Sequence, residues 1–147
     1  VELSLRSDQQ LFFATLHYGY PYHILSGERR KLDAATEALL LSGIANPEPL
    51  KQYLEQRIAF YEEMRYGDHH IFSIDDWKEI RRRFAQMKKS DSMILTTEKD
   101  AVRLVKFGKE LEAIPMYVIP VEMKWLFDQQ AEFVNTVKAF IGHFERA

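Results

Sequence analysis

"SMILTTEKDAVRLVKF", Ser92–Phe107, carries the pattern on which the fold turns. An apolar run ends at Leu95, a polar loop opens at Thr96, and a helix follows whose first turn Thr97 and Asp100 are spaced to cap. The order is strand, loop, helix. Upstream the same order appears twice more. "LLLSGIANPEPLKQYLEQR", Leu39–Arg57, closes an apolar run at Ser42 and Gly43. Asn46 then stands as the cap of a helix whose first position is Pro47, where a missing N–H costs nothing. Ile58–Tyr66 reads as a strand despite the charge in "FYEEMRY". After Gly67, Asp68, His69 and His70, the pair Ser73 and Asp76 has capping-box spacing ahead of the helical "DDWKEIRRRFAQM". Three such units in succession predict an α/β domain, small and Rossmann-like, with a mostly parallel sheet flanked by helices.

The flanking segments complete the expected outline. "LFFATLHYGYPYHIL", Leu11–Leu25, is rich in aromatic and β-branched residues and is broken by Gly19 and Pro21, which predicts one or two strands. Gly27–Ala38 is polar and turn-like. "IPMYVIPVEM", Ile114–Met123, reads as a last strand before a closing helix at Gln129–Phe144. On that helix Phe133, Val134, Val137, Phe140, Ile141 and Phe144 form an apolar stripe at helical spacing, suited to this domain's own sheet or to another domain. The division expected is a β-rich interdomain linker over residues 1–26 and an α/β domain over residues 27–147.

Composition limits what such a domain does. The chain has 147 residues, 46% of them hydrophobic, enough for one core. A formal net charge of -2 creates no field that draws nucleic acid, and no Lys or Arg is interleaved among the aromatics of Leu11–Leu25 to hold a phosphate backbone. Without cysteine there is no disulfide, thiolate metal site or cysteine nucleophile, which fits a reducing compartment. No apolar run approaches the roughly 20 residues that span a bilayer. The start at Val1, with no initiator Met, reads as a piece of something longer.

Right-handed crossovers between parallel strands gather the loops that follow them on one edge of the sheet, where α/β domains place ligands. That edge is expected to hold Ser42, Asn46, Asp68, His69, His70, Thr96, Thr97, Glu98, Lys99 and Asp100, close to helix N-termini whose amides favour anions such as phosphate. Each residue also has a purely structural reading. Thr97 with Asp100 and Ser73 with Asp76 serve as helix caps, and Asn46 starts a helix. Adjacent histidines point apart on a strand or a helix, so His69 and His70 make a poor metal pair, and at most one of them faces a site.

"GIANP", "DHH", "ILTTEKDAVRL" and "YVIPVEM", in that order, resemble the C-terminal half of the tetraacyldisaccharide 4'-kinase family, the enzymes of lipid A synthesis. The string "TTEKDAVR" at Thr96–Arg103 is the most specific element, and the likeness runs from about Gly43 to Glu122. It implies transfer of the ATP γ-phosphoryl group, with Mg2+, to the 4'-hydroxyl of a tetraacyldisaccharide 1-phosphate lipid at the cytoplasmic face of the bacterial inner membrane. Such kinases carry a Walker A loop, G-x-x-x-x-G-K-[ST]. No such string occurs in these residues. The resemblance therefore implies a C-terminal domain, inactive alone, whose partner is the N-terminal P-loop domain that binds ATP, lipid and membrane.

On this resemblance Asp68 and His69 are the catalytic element, with His69 pairing to an aspartate of the N-terminal domain that accepts the sugar hydroxyl's proton. Thr96, Thr97, Glu98, Lys99, Asp100 and Asn46 line the cleft, no metal ligand is expected, and the domain acts as a lid hinged near Phe12–Tyr22. An excised copy is expected to self-associate through its closing helix. Two other classes compete: a DHH-type Mn2+ phosphoesterase, whose upstream D-x-D pattern is absent before Asp68, and a non-catalytic α/β interaction domain.

Overall fold

The structure is a computed structural model that describes residues 3–87 and 91–144. By contact it divides into two compact units, Val1–His17 with Glu122–Ala147, and Tyr18–Val121. The division differs from the one expected at residue 26, because the closing helix clusters with the N-terminal segment.

The larger unit is built on a five-stranded sheet in the order β2-β6-β5-β3-β4. β3 (Glu37–Ser42), β4 (Phe60–Arg65), β5 (Met93–Thr97) and β6 (Met116–Ile119) run parallel, while the short edge strand β2 (Tyr22–His23) pairs antiparallel with β6. Both faces of the central strands are covered, which explains the unbroken leucines of β3. Leu39 and Leu41 face a core with Ile94, Trp77, Ile80, Leu104 and Phe107. Ala38 and Leu40 face the other, with Leu50, Leu54, Ile58 and Leu95. Helix α1 (Glu48–Glu55) thus lies on one face, and α2 (Ile74–Ala85) and α3 (Glu98–Leu104) lie on the other.

The strand order explains that arrangement. The chain steps from β3 outward to β4 and then back past β3 to β5, so right-handed crossovers place α1 and α2 on opposite faces. The reversal falls between β3 and β5, and the crevice outside the carboxyl ends of these two strands is the ligand position of an open α/β sheet.

Three local expectations are corrected. Thr96 and Thr97 belong to β5, and α3 starts at Glu98 with no loop between, because Thr97 is both the last strand residue and the helix cap. The expected strand Ile114–Met123 is two strands in different sheets, β6 and β7 (Val121–Trp125), separated by Pro120, which has no N–H for a ladder. At α1 the cap position is Pro47 without a side-chain bond, although Asn46 Oδ1 accepts from Glu48 N at 3.2 Å one step earlier. After α3 the chain continues as a 3-10 helix, Val105–Ala113, broken at Gly108, whose φ is 46°.

In the smaller unit the ribbon of β1 (Ala14–Tyr18) and β7 is joined by α4 (Gln130–Phe144). Phe133 packs against Trp125 and Phe12, with ring centroids 4.1 and 5.3 Å away. Other members of the apolar stripe, Val134, Val137 and Ile141, are exposed, and the side chain of Phe144 lies outside the described residues.

Candidate functional site

Asp100 ties the reversal point together. Fully buried, it accepts from Gly43 N at 2.9 Å and from the Thr97 hydroxyl at 2.8 Å through the same Oδ2, while Thr97 Oγ1 accepts from Asp100 N at 3.2 Å. Its Oδ1 lies 3.5 Å from Arg103 Nη1. One carboxylate therefore joins the ends of β3 and β5 and anchors a guanidinium one turn along α3. The approach requires glycine at 43, since a Cβ there would stand 2.8 Å from Asp100 Oδ1 and 3.3 Å from the Gly67 carbonyl.

Arg103 reaches from this anchor to the loop between β4 and α2. Its Nη2 lies 3.2 Å from His69 Nδ1. Lys99, one turn earlier on α3, donates to Asp68 Oδ1, an oxygen that also accepts from His69 N at 3.0 Å. Asp68, His69, Lys99 and Arg103 thus form one network along the carboxyl edge of the sheet. The Lys99 ammonium, helped by His69, holds the Asp68 carboxyl below its ordinary range against a smaller opposing effect of burial. His69 Nε2 stands 3.6 Å from Asp68 Oδ2, beyond hydrogen-bonding length. The ring is 73% exposed and its backbone has a φ of 61°, a left-handed conformation that histidine adopts more readily than most residues. It is directed neither into the core nor to the opposite edge.

The two adjacent histidines have separate surroundings. His70 stacks on Tyr66 at 4.7 Å, meets Phe72 edge-on at 5.1 Å, and its Nε2 lies 3.0 Å from Asp76 Oδ2. Asp76 also accepts from Ser73 N at 2.7 Å, and Ser73 Oγ accepts from Asp76 N at 3.1 Å, completing the capping box of α2. His70 belongs to a helix cap, and His69 alone faces outward.

Of the expected cleft residues, Lys99 joins the network directly and Asp100 supports it from beneath. Thr96 is a buried strand residue and Thr97 caps α3. Glu98 accepts from Val121 N at 3.2 Å, and Asn46 sits at the start of α1. One amide of the first turn of α3, Asp100 N, is taken by Thr97 Oγ1.

A family model described as Tetraacyldisaccharide-1-P 4'-kinase matches residues 2–141. The chain belongs to the tetraacyldisaccharide-1-P 4'-kinase family. Similar relatives include tetraacyldisaccharide 4'-kinases of Bacteroides thetaiotaomicron, 30% identical over 153 residues, and of Phocaeicola vulgatus, 32% identical over 146 residues. In both cases the match covers 95% of this chain, and the chain spans about 40% of the relative's length. The solved structure of LpxK from Aquifex aeolicus in complex with ATP is similar at a TM-score of 0.46 and 11% identity, over 91% of this chain and 38% of that one.

In this member of the kinase family, the residue missed by sequence reasoning is Arg103. It lies within "TTEKDAVR", four positions after Lys99 and three after Asp100, the spacings that share a helix face, which is the signal that finds it. Gly43 reads locally as a strand stop, and its closeness to Asp100 has no local signal.

Proposed function

We propose that this chain is the C-terminal domain of a lipid A 4'-kinase, acting as a lid that presents Asp68 and His69 to a catalytic centre on the P-loop domain of the same protein. The reaction is transfer of the ATP γ-phosphoryl group to the 4'-hydroxyl of a tetraacyldisaccharide 1-phosphate at the cytoplasmic face of the inner membrane. The observation that carries the reading is the exposed His69 ring at the carboxyl edge of the sheet, met at Nδ1 by Arg103, with its Nε2 3.6 Å from Asp68 Oδ2 and not hydrogen-bonded to it.

The side chains at this edge do not suit ATP or Mg2+ by themselves. Lys99 is engaged by Asp68, Arg103 by Asp100 and His69, and among the described residues no three His, Asp or Glu side chains gather to hold a metal. Nucleotide and metal are accordingly assigned to the remainder of the kinase. Phosphoryl transfer depends mainly on positioning and charge stabilisation, so the share left for this domain is orienting and tuning a base. His69 donates from its imidazole N–H to the carboxylate that accepts the sugar proton. Closure of the lid also excludes water from the reacting groups.

The test is ATP-dependent phosphorylation of the lipid by full-length kinase carrying His69→Ala. A loss of about 10²- to 10⁴-fold in kcat, with KM for ATP little changed, is expected of an acid/base group. A loss below about tenfold removes His69 from this role. Isolated as 147 residues, the chain is expected to show no kinase activity.

A further inference from the structure

We infer that Arg103 is a positioning residue that fixes the tautomer and direction of the His69 ring, leaving Nδ1 as an acceptor and the proton on Nε2. The inference deepens the proposed role of His69 and rests on that reading for its catalytic consequence, but its structural content stands on the network alone. A guanidinium has only donors and stays charged at any physiological pH. The nitrogen it meets at 3.2 Å, His69 Nδ1, must therefore offer its lone pair. A neutral imidazole that accepts at Nδ1 carries its proton at Nε2.

The support behind Arg103 makes this more than a chance surface contact. Asp100 Oδ1 lies 3.5 Å from Nη1, and the same buried carboxylate is held by Gly43 N and the Thr97 hydroxyl at the reversal point of the sheet. Asp68 fixes the other side of the histidine, accepting from its backbone N at 3.0 Å while bound by Lys99. The ring is thus held at its Nδ1 side, and Nε2, which then carries the proton, lies 3.6 Å from Asp68 Oδ2, beyond hydrogen-bonding length. An imidazole in this form donates to a carboxylate. The opposite tautomer would present a lone pair to that carboxylate and repel it.

The test has a spectroscopic and a kinetic arm. Ring 15N spectra of the intact kinase labelled at histidine, recorded at a pH where His69 is neutral and assigned with His69→Ala, are expected to show Nδ1 as the unprotonated nitrogen. They should show a mixed or reversed tautomer in Arg103→Met. A parent ring protonated at Nδ1, or an Arg103→Met ring with the parent's tautomer, overturns the inference. The parent spectrum alone can overturn the inference even if Arg103→Met fails to fold, and the attribution to Arg103 then rests on Arg103→Lys. In the kinetic arm, Arg103→Met is expected to lower kcat about 10- to 100-fold, the range for groups that orient a functional side chain, with partial recovery in Arg103→Lys. That loss should vanish in a His69→Ala background, because the two residues act as a unit. If Arg103→Met costs the same with or without His69, Arg103 acts on substrate directly and the positioning role fails. If His69→Ala leaves activity intact while the tautomer result holds, the catalytic reading of His69 fails and the assignment of Arg103 to the ring survives.

Discussion

At the residue scale, Gly43 is a position where the fold leaves no room for a side chain. The Cβ of an alanine there would meet Asp100 Oδ1 at 2.8 Å, and Asp100 cannot yield easily, because it is fully buried and bound to Gly43 N and Thr97 Oγ1. Gly43→Ala is expected to destabilise the larger unit by about 1–3 kcal/mol, the usual cost of an inserted methyl in a packed site. Urea denaturation of parent and variant checks it, and a shift below about 0.5 kcal/mol, typical of surface substitutions, refutes the close approach. What the sequence left open at this scale follows from the same contact. Asp100 is readable as a helix cap from its spacing to Thr97, but its bond to Gly43 spans 57 residues and forms only when parallel pairing brings β5 beside β3. The divergence of His69 and His70 was legible, since neighbours cannot share one direction. Which of them faces outward came from the likeness to the kinases and not from spacing.

At the scale of elements, α2 shows how far local signals reach. Its capping box was legible from Ser73 and Asp76, because both partners lie within one turn, whereas the break between β6 and β7 depends on sheet membership that Pro120 only hints at. The same helix carries the clearest pH dependence. Burial pushes the Asp76 carboxyl up, but the Ser73 amide and hydroxyl together with His70 outweigh it and leave it below its ordinary value of 3.8. Arg82 and Arg83 bring Glu79 down from 4.5 to about 2. Both carboxyls are depressed in the folded state, so their stabilisation is complete above their unfolded values and is lost as pH falls through the folded ones. The melting temperature is therefore expected to hold steady from neutral pH to about 5 and to fall between about 4 and 2. Asp76→Ala should lower stability at neutral pH by about 1 kcal/mol, the usual weight of a cap, and should flatten this acid limb. An acid limb of unchanged depth in Asp76→Ala combined with Glu79→Gln would show that other carboxyls set it.

Over the whole molecule, the two compact units differ in what holds them. The larger contains β3 and β5, with Leu39, Leu40, Leu41, Ile94 and Leu95 wholly removed from solvent. Among its described residues the smaller unit has no fully buried side chain, and the β1–β7 ribbon is joined by aromatic contacts of Phe12, Trp125 and Phe133 and of Phe13 with Phe127. Local opening is easiest where few apolar contacts are buried. Each unit also holds one tryptophan of its own, Trp77 stacked on Phe107 at 4.8 Å in the larger and Trp125 in the smaller. In guanidinium chloride the fluorescence of Trp125, read in Trp77→Phe, should change at a lower midpoint than that of Trp77, read in Trp125→Phe. A chain unfolding as one body would also have its midpoint lowered by Trp77→Phe, so the unfolding of each variant is read by far-ultraviolet circular dichroism beside the fluorescence. Trp125→Phe leaves the Trp77 core untouched. Native-state hydrogen exchange, which needs no substitution, should agree, with amides of β3 and β5 protected well beyond those of α4. Coincident midpoints and equal protection would mean that the chain unfolds as one cooperative body.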